Sequence, residues 1–244
     1  MFTLPFLQAV SDWQRDGDPN QNRKRGQVLK KHCASLPERY RTCDLCCFRQ
    51  IALPKAGVWD LIGEDSLSEK ISSWTVDIEV AKDFKGGVPP KGQGLQGVVL
   101  CVYPPANSVI VSLRELYKDC SFVAAMDRER QNIKHYDNGA GRHGHKQNEV
   151  VLEISGVKKD DIYSMGGHSS QFDMLVEEAA ALIYGCSPTP EQVKALFIKV
   201  EHLRCEAGPK WLSKEATQRI ITEMKPDIER LGDINRRQKG IEAK

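Results

Sequence analysis

The sequence predicts an α+β protein: a β-rich middle flanked by helical segments at both ends. Three observations predict it. Short apolar runs split by turn residues follow one another from Thr42 to about Ile154. Past Gly166 the pattern turns helical, with Val193, Leu196, Phe197, Val200 and Leu203 at helical spacing. Of the 244 residues, 40% are hydrophobic and 28% charged, a globular rather than a disordered or fibrous composition. The expected organisation is a basic helical extension over residues 1–41, a core over 42–165 and a helical region over 166–244.

In chain order, Met1 to Val10 is apolar, lacks a basic leader and runs into Asp12, Arg15 and Asp16, so it reads as a packed segment rather than a signal peptide. Asp16 to Asn20 is a turn cluster. Arg23, Lys24, Arg25, Lys30 and Lys31 follow, either a solvated helix face or a phosphate-contacting patch. Cys46 to Leu53 is a strand ended by Pro54, and Ile71 to Thr75 another. Ile78 to Phe84 reads as a short helix with Val80, Ala81 and Phe84 on one face, closed by Gly86-Gly87. Gly97 to Tyr103 is a buried strand, Ser108 to Ser112 a further one leading into a short helix, and Asp137 to Lys146 a polar glycine-rich loop. Gln147 to Ile154 is a strong strand. Thr189-Pro190-Glu191-Gln192 is a helix start with cap, proline and capping glutamine in place. A last helix runs from Ser213 toward Lys225, where Pro226 interrupts it, and Arg236 to Lys244 read as a frayed end. Trp59, Trp74, Phe84 and Trp211 read as core aromatics.

Charge narrows the function classes. Lys+Arg 35 against Asp+Glu 33 leaves a net charge of +2, so any nucleic-acid surface must be a local patch. No apolar run approaches the ~18 residues of a membrane helix. The 8 cysteines, without a signal peptide, read as reduced thiols of a cytoplasmic protein. Cys43-x-x-Cys46 with His32 and Cys33 nearby suggests zinc, but no second Cys-x-x-Cys pair follows, and no metal is expected.

Three features of the middle section carry chemistry. Arg49 sits inside an apolar strand and must pair with something. Ser73-Trp74-Thr75 is followed by Asp77 and by Val80-Ala81-x-x-Phe84. Gln147-Asn148-Glu149 puts a carboxylate at the mouth of a buried strand. In this order the three resemble the mono-ADP-ribosyltransferases of the Arg-Ser-Glu toxin type, in their Gln-x-Glu variant, over about residues 42 to 155. Trp74 stands where that family usually has threonine. The resemblance implies two packed β-sheets with a cleft for the co-substrate NAD. It assigns Glu149, Gln147 and Ser73 to catalysis, and Arg49, Ser73 and Thr75 to NAD. The chemistry suits these types. Cleaving the nicotinamide–ribose bond makes the ribose oxocarbenium-like, a carboxylate stabilises that charge, and an arginine fork matches a pyrophosphate. Glu153 is a weaker rival for the carboxylate role.

Gln147, two residues before Glu149, is expected on the same strand face. The resemblance implies that a glutamine there goes with acceptors other than arginine, such as asparagine side chains or nucleic-acid bases. Arg142, His143, His145 and Lys146, with Arg128, Arg130 and Lys134 upstream, favour a phosphate-bearing acceptor, and Tyr136 could stack a base. The expectation is therefore a transferase acting on RNA or single-stranded DNA, an intracellular toxin in a toxin–antitoxin or phage-defence setting, silenced by a partner protein. Transfer to a protein side chain and a non-catalytic RNA-binding module are the alternatives. His168 is either a loop histidine or a neighbour of the site.

Overall fold

A computed structural model describes residues 2–63, 66–90, 92–168, 171–185, 187–206 and 208–242, without side chains for residues 55, 168, 203, 205, 206 and 231–242. The elements are α1 (Leu4–Trp13), α2 (Pro19–Cys33), β1 (Cys47–Pro54), α3 (Lys55–Gly63), β2 (Leu67–Ser68), β3 (Ile71–Thr75), α4 (Ile78–Asp83), β4 (Leu95–Val102), β5 (Val109–Ser112), α5 (Leu113–Lys118), α6 (Cys120–Glu129), α7 (Ala140–His143), β6 (Glu149–Glu153), β7 (Gly156–Val157), β8 (Ile162–His168), α8 (Phe172–Tyr184), α9 (Pro190–Val200), β9 (Pro209–Trp211) and α10 (Lys214–Glu242).

Among the described residues, seven strands form one antiparallel sheet in the order β5-β6-β3-β1-β4-β8-β9, and β2 pairs with β7 apart from it. Two packed sheets were expected; the ladder is instead continuous, but barely so. β1 and β4 pair from Cys47↔Val102 to Pro54↔Leu95, whereas β1 and β3 meet only at Phe48↔Thr75. The sheet is thus two half-sheets joined at one pair, with a seam opening beside Arg49 and Ser73.

Side-chain alternation gives each face its own core. One face packs Val111 and Val151 under α1, α2, α5 and α6, with Leu7, Val10, Leu29, Leu116 and Phe122 fully buried. The other packs Val98, Leu100, Val150, Leu152 and Trp74 against α3 and α10 through Leu61, Ile62, Ile221 and Ile228. Trp74 is 2% exposed, and its indole N–H donates to Ser72 Oγ at 2.9 Å.

The helical ends follow local signals. Asp18 caps α2 by accepting from the Asn20 and Gln21 amides. The basic run on α2 is mostly a solvated face; Lys30 pairs with Glu153 at 2.5 Å and Arg25 donates back to the carbonyls of Arg15 and Asp16. Thr189 and Gln192 form the capping box of α9. β8 runs through residue 166 and β9 completes the sheet, so the C-terminal region shares the core.

Four expectations are corrected. The helix from 214 continues through Pro226, because Ile221 and Ile228 on either side are buried against the sheet core and outweigh one lost hydrogen bond. The stretch Asp137 to Lys146 is not a loop but α7 between two 3-10 turns, Tyr136–Asn138 and Gly144–Gln147. Phe84 is 46% exposed, since α4 ends at Asp83 and the ring loses the helical register that would bury it. Cys46 and Cys101 are not free thiols: they form a disulfide, their Cα atoms 6.4 Å apart, because the β1–β4 register carries Cys46 past the ladder end beside Cys101. Among the described residues no group of three or more His, Cys, Asp or Glu side chains gathers in a way that could hold a metal ion. Residues 243 and 244 of the expected frayed end lie outside the described residues; Arg236 to Glu242 continue α10. No helix among the described residues is long and apolar enough to cross a membrane.

The disulfide closes a loop across a sequence separation of 55. Replacing both cysteines by serine should lower the unfolding free energy by about 2–4 kcal/mol. Chemical denaturation reads this as a lower midpoint, and an unchanged midpoint would show that the bond does not constrain the unfolded chain.

Candidate active site

β6 begins with Glu149, the carboxylate singled out from the sequence. Asn148 sits at φ 45, a left-handed conformation that asparagine tolerates, and its carbonyl accepts from the Val76 amide. This turns the chain so that Glu149 enters the sheet directly opposite Thr75. Ser73, two residues back on β3, lies diagonal to Glu149 on the same face, within reach of a short side chain. Its hydroxyl donates to Glu149 Oε1 at 2.5 Å.

Two more donors come from a distant part of the chain. α1 lies across this face, and Trp13 Nε1 donates to the same Oε1 at 2.7 Å. Gln14 Nε2 reaches Oε2 at 3.5 Å and the Gly144 carbonyl at 3.1 Å, while its own Oε1 accepts from the Tyr117 hydroxyl at 2.9 Å. The close approach of α1 requires a residue without a side chain at 139: a Cβ on Gly139 would collide with the Ser11 carbonyl. Glu149 is 3% exposed, and all three donors to it are neutral. Burial pushes its carboxyl above the usual range, and the bonds from Ser73, Trp13 and Gln14 pull the other way without overcoming it.

Arg49 reaches the site from the far side of the seam. Phe48, not Arg49, shares the Thr75 and Glu149 face, so the arginine side chain starts from the opposite face. Its guanidinium donates to the Ser73 carbonyl at 3.1 Å and lies 3.8 Å from Glu69. Burial lowers its pKa, which Glu69 opposes. Arg49 Nε, Gln50 Oε1 and Glu69 Oε2 are buried with no hydrogen-bond partner. Gln50 Nε2 is tied to the Gly87 carbonyl at 2.7 Å.

The structure therefore brings Ser73 and Glu149 together and attaches Arg49 to them through the β3 backbone. The Thr75 hydroxyl is turned to the following helix, accepting from the Asp77 amide. Gln147 is not on the Glu149 strand face. It lies in a 3-10 turn, cut off from β6 by the left-handed Asn148, and its amide meets His143 Nδ1 at 3.1 Å. Burial lowers the pKa of that histidine. Arg142 pairs with Asp16, Arg130 with Asp137 and Arg128 with Glu129; His145 and Lys146 are exposed. The Tyr136 ring already carries the Arg130 guanidinium on its face, 5.1 Å from centroid. Glu153 is at the far end of β6 in its pair with Lys30. His168 closes β8 opposite Pro209; its side chain lies outside the described residues. Trp13, Gln14, Tyr117 and Glu69 were not singled out from the sequence. No local pattern marks them, because their roles come from where α1 and the residue after β2 land in space.

The buried carboxyl sets a pH dependence. A folded-state pKa raised above the ordinary 4.5 means that the fold holds the proton more tightly than the unfolded chain does. Its contribution to stability is intact below that pH and is lost as pH rises through the folded value. The stability of wild type relative to Glu149→Gln should therefore fall steadily as pH rises above about 4.5. Paired thermal melts across that range test this; a constant difference would mean Glu149 ionises as it does in water.

The chain matches no protein-family model and no curated protein. It is similar in structure to the Vis toxin, an ADP-ribosyltransferase from Vibrio splendidus, with 16% identity and a TM-score of 0.32 over 68% of this chain. The similar part is 60% of that structure. A likeness this distant decides neither family nor activity.

Proposed function

We propose that this chain is an NAD-dependent mono-ADP-ribosyltransferase. One observation carries the reading: the bond from Ser73 to Glu149, built between neighbouring strands, with Arg49 of the next strand held against Ser73 itself. Residues far apart in sequence become one polar unit inside an apolar sheet.

In this reading Glu149, as the carboxylate, faces the ribose as nicotinamide leaves with the bonding electron pair. The acceptor then attacks the ribose carbon, and its proton passes to the Glu149 carboxylate or to solvent. Ser73 and Trp13 hold one oxygen in place, so they are positioning residues. The Gln14 contact on the other oxygen is the longest of the three, and it is the one a ribose 2′-hydroxyl would replace. Because Glu149 is covered by Trp13 and Gln14, the Gln14 side chain has to swing off Oε2 for the ribose to reach it, while Trp13 keeps its bond to Oε1. Arg49 supplies the phosphate-facing charge, and the unpartnered atoms on Arg49, Gln50 and Glu69 are where a polar ligand would find bonds.

The acceptor we propose is a nucleic-acid base, on the basis of the exposed His145 and Lys146 in the turn that leads into Glu149. A protein acceptor is the second reading. The pairing of Arg128, Arg130 and Arg142 with acids favours it, since little free positive charge remains near the site. A toxin role inside a cell, with a silencing partner, belongs to the same proposal and rests on the motif resemblance alone.

NAD labelled in its adenylate half, incubated with cellular RNA, single-stranded DNA or lysate protein, should label one pool. Glu149→Gln should reduce that labelling by about 10²–10³-fold. Label in protein alone would keep the transferase and remove the nucleic-acid acceptor; equal labelling by wild type and variant would remove the enzyme. Ser73→Ala and Trp13→Phe each delete a bond that favours ionised Glu149. Both should move the acidic limb of the kcat/KM profile to higher pH, and an unmoved limb would deny them the positioning role.

A further inference from the structure

A second reactive cluster lies just ahead of β1, outside the site around Glu149. Cys43 and Cys47 are free thiols with their sulfurs 3.8 Å apart, and both approach the Leu45 carbonyl at 3.7 Å. The two differ in setting. Cys47 is fully buried, its backbone fixed in the ladder opposite Val102. Cys43 is half-buried, flanked by the exposed Thr42 and Asp44. The chain between them is already anchored at Cys46 by the disulfide to Cys101. One accessible sulfur thus faces one inaccessible sulfur on a backbone that cannot drift far.

From this geometry we propose that Cys43 and Cys47 form a peroxide-reactive site, with Cys43 as the attacking sulfur and Cys47 as the resolving one. The bond from Cys47 brings the Cys43 thiol down to about 6, with Arg114 helping and both burial and Asp44 opposing. The same contact, with burial, pushes Cys47 up, so it keeps its proton. The Cys43 thiolate attacks one peroxide oxygen; the O–O bond breaks, hydroxide leaves and Cys43 becomes a sulfenic acid. The Cys47 thiol then attacks that sulfur. The S–O bond breaks, water leaves with the Cys47 proton, and a Cys43–Cys47 disulfide forms. Two electrons pass from the two sulfurs to the peroxide. The remaining described free cysteines lack such a partner: Cys33 is buried with its thiol pushed up to about 12, and Cys120 is exposed at the start of α6. The proposal does not depend on the NAD reading.

The full-length chain, with Cys46–Cys101 intact, is treated with a few equivalents of hydrogen peroxide, alkylated under denaturing conditions and mapped by peptide fragmentation. The expected product links Cys43 to Cys47 while Cys120 stays alkylated, with Cys43 lost at least about tenfold faster than Cys120. In Cys47→Ser, dimedone should trap a sulfenic acid on Cys43; in Cys43→Ser, it should trap none on Cys47. Three results would overturn the proposal: oxidation of Cys120 first, a wild-type Cys43 that stops at sulfenic or sulfinic acid, or a new disulfide from Cys43 to Cys46 or Cys101. Should Cys47→Ser not fold, the wild-type map and the Cys43→Ser variant still decide between these results.

Discussion

A carboxyl group removed from water has to be hydrogen-bonded or it destabilises the fold. Glu149 is that group here, and much of the surrounding structure answers to it. Ser73 is supplied by the neighbouring strand, Trp13 and Gln14 by a helix from the other end of the chain. The left-handed Asn148 aims the carboxyl inward, and the bare backbone at Gly139 lets α1 come close enough to donate. Nothing in this set is a cation, so Glu149 is held by geometry rather than neutralised by charge. Burial raises its pKa, and each of these hydrogen bonds opposes that rise.

The seam between β1 and β3 matters for the same reason. A sheet with a full ladder there would satisfy its own backbone polar groups. The single Phe48↔Thr75 pair keeps the two half-sheets in register while leaving the Ser73 carbonyl to the Arg49 guanidinium. Arg49 Nε and Glu69 Oε2, buried without a hydrogen-bond partner, belong to the ion pair beside this opening.

Elements governed by local rules were legible in the sequence. β3 matches its expected span from Ile71 to Thr75, and the Thr189 capping box starts α9 where the spacing placed it. Glu149 was legible as a carboxylate at the mouth of a buried strand, and Ser73 as a candidate only through the resemblance of its motif to the ADP-ribosyltransferase pattern. What was not legible depends on three-dimensional placement. The helix through Pro226 survives because of packing that no local window contains. Gln147 reads as strand by its apolar neighbours, yet one left-handed residue takes it out of the strand. Nothing in the sequence marks Trp13, whose contact with Glu149 exists only once α1 is laid over β6. The disulfide depends on the register of β1 against β4, which the cysteine spacing alone does not reveal.

The most direct test of the account is the release of nicotinamide from NAD by the purified chain with water as the only acceptor. It isolates bond cleavage at Glu149 from every question about the acceptor. The account predicts slow but measurable release by wild type and a rate indistinguishable from background in Glu149→Gln. Release by the variant at the wild-type rate would contradict it, because the bond would then break without the carboxylate around which Ser73 and Trp13 are arranged.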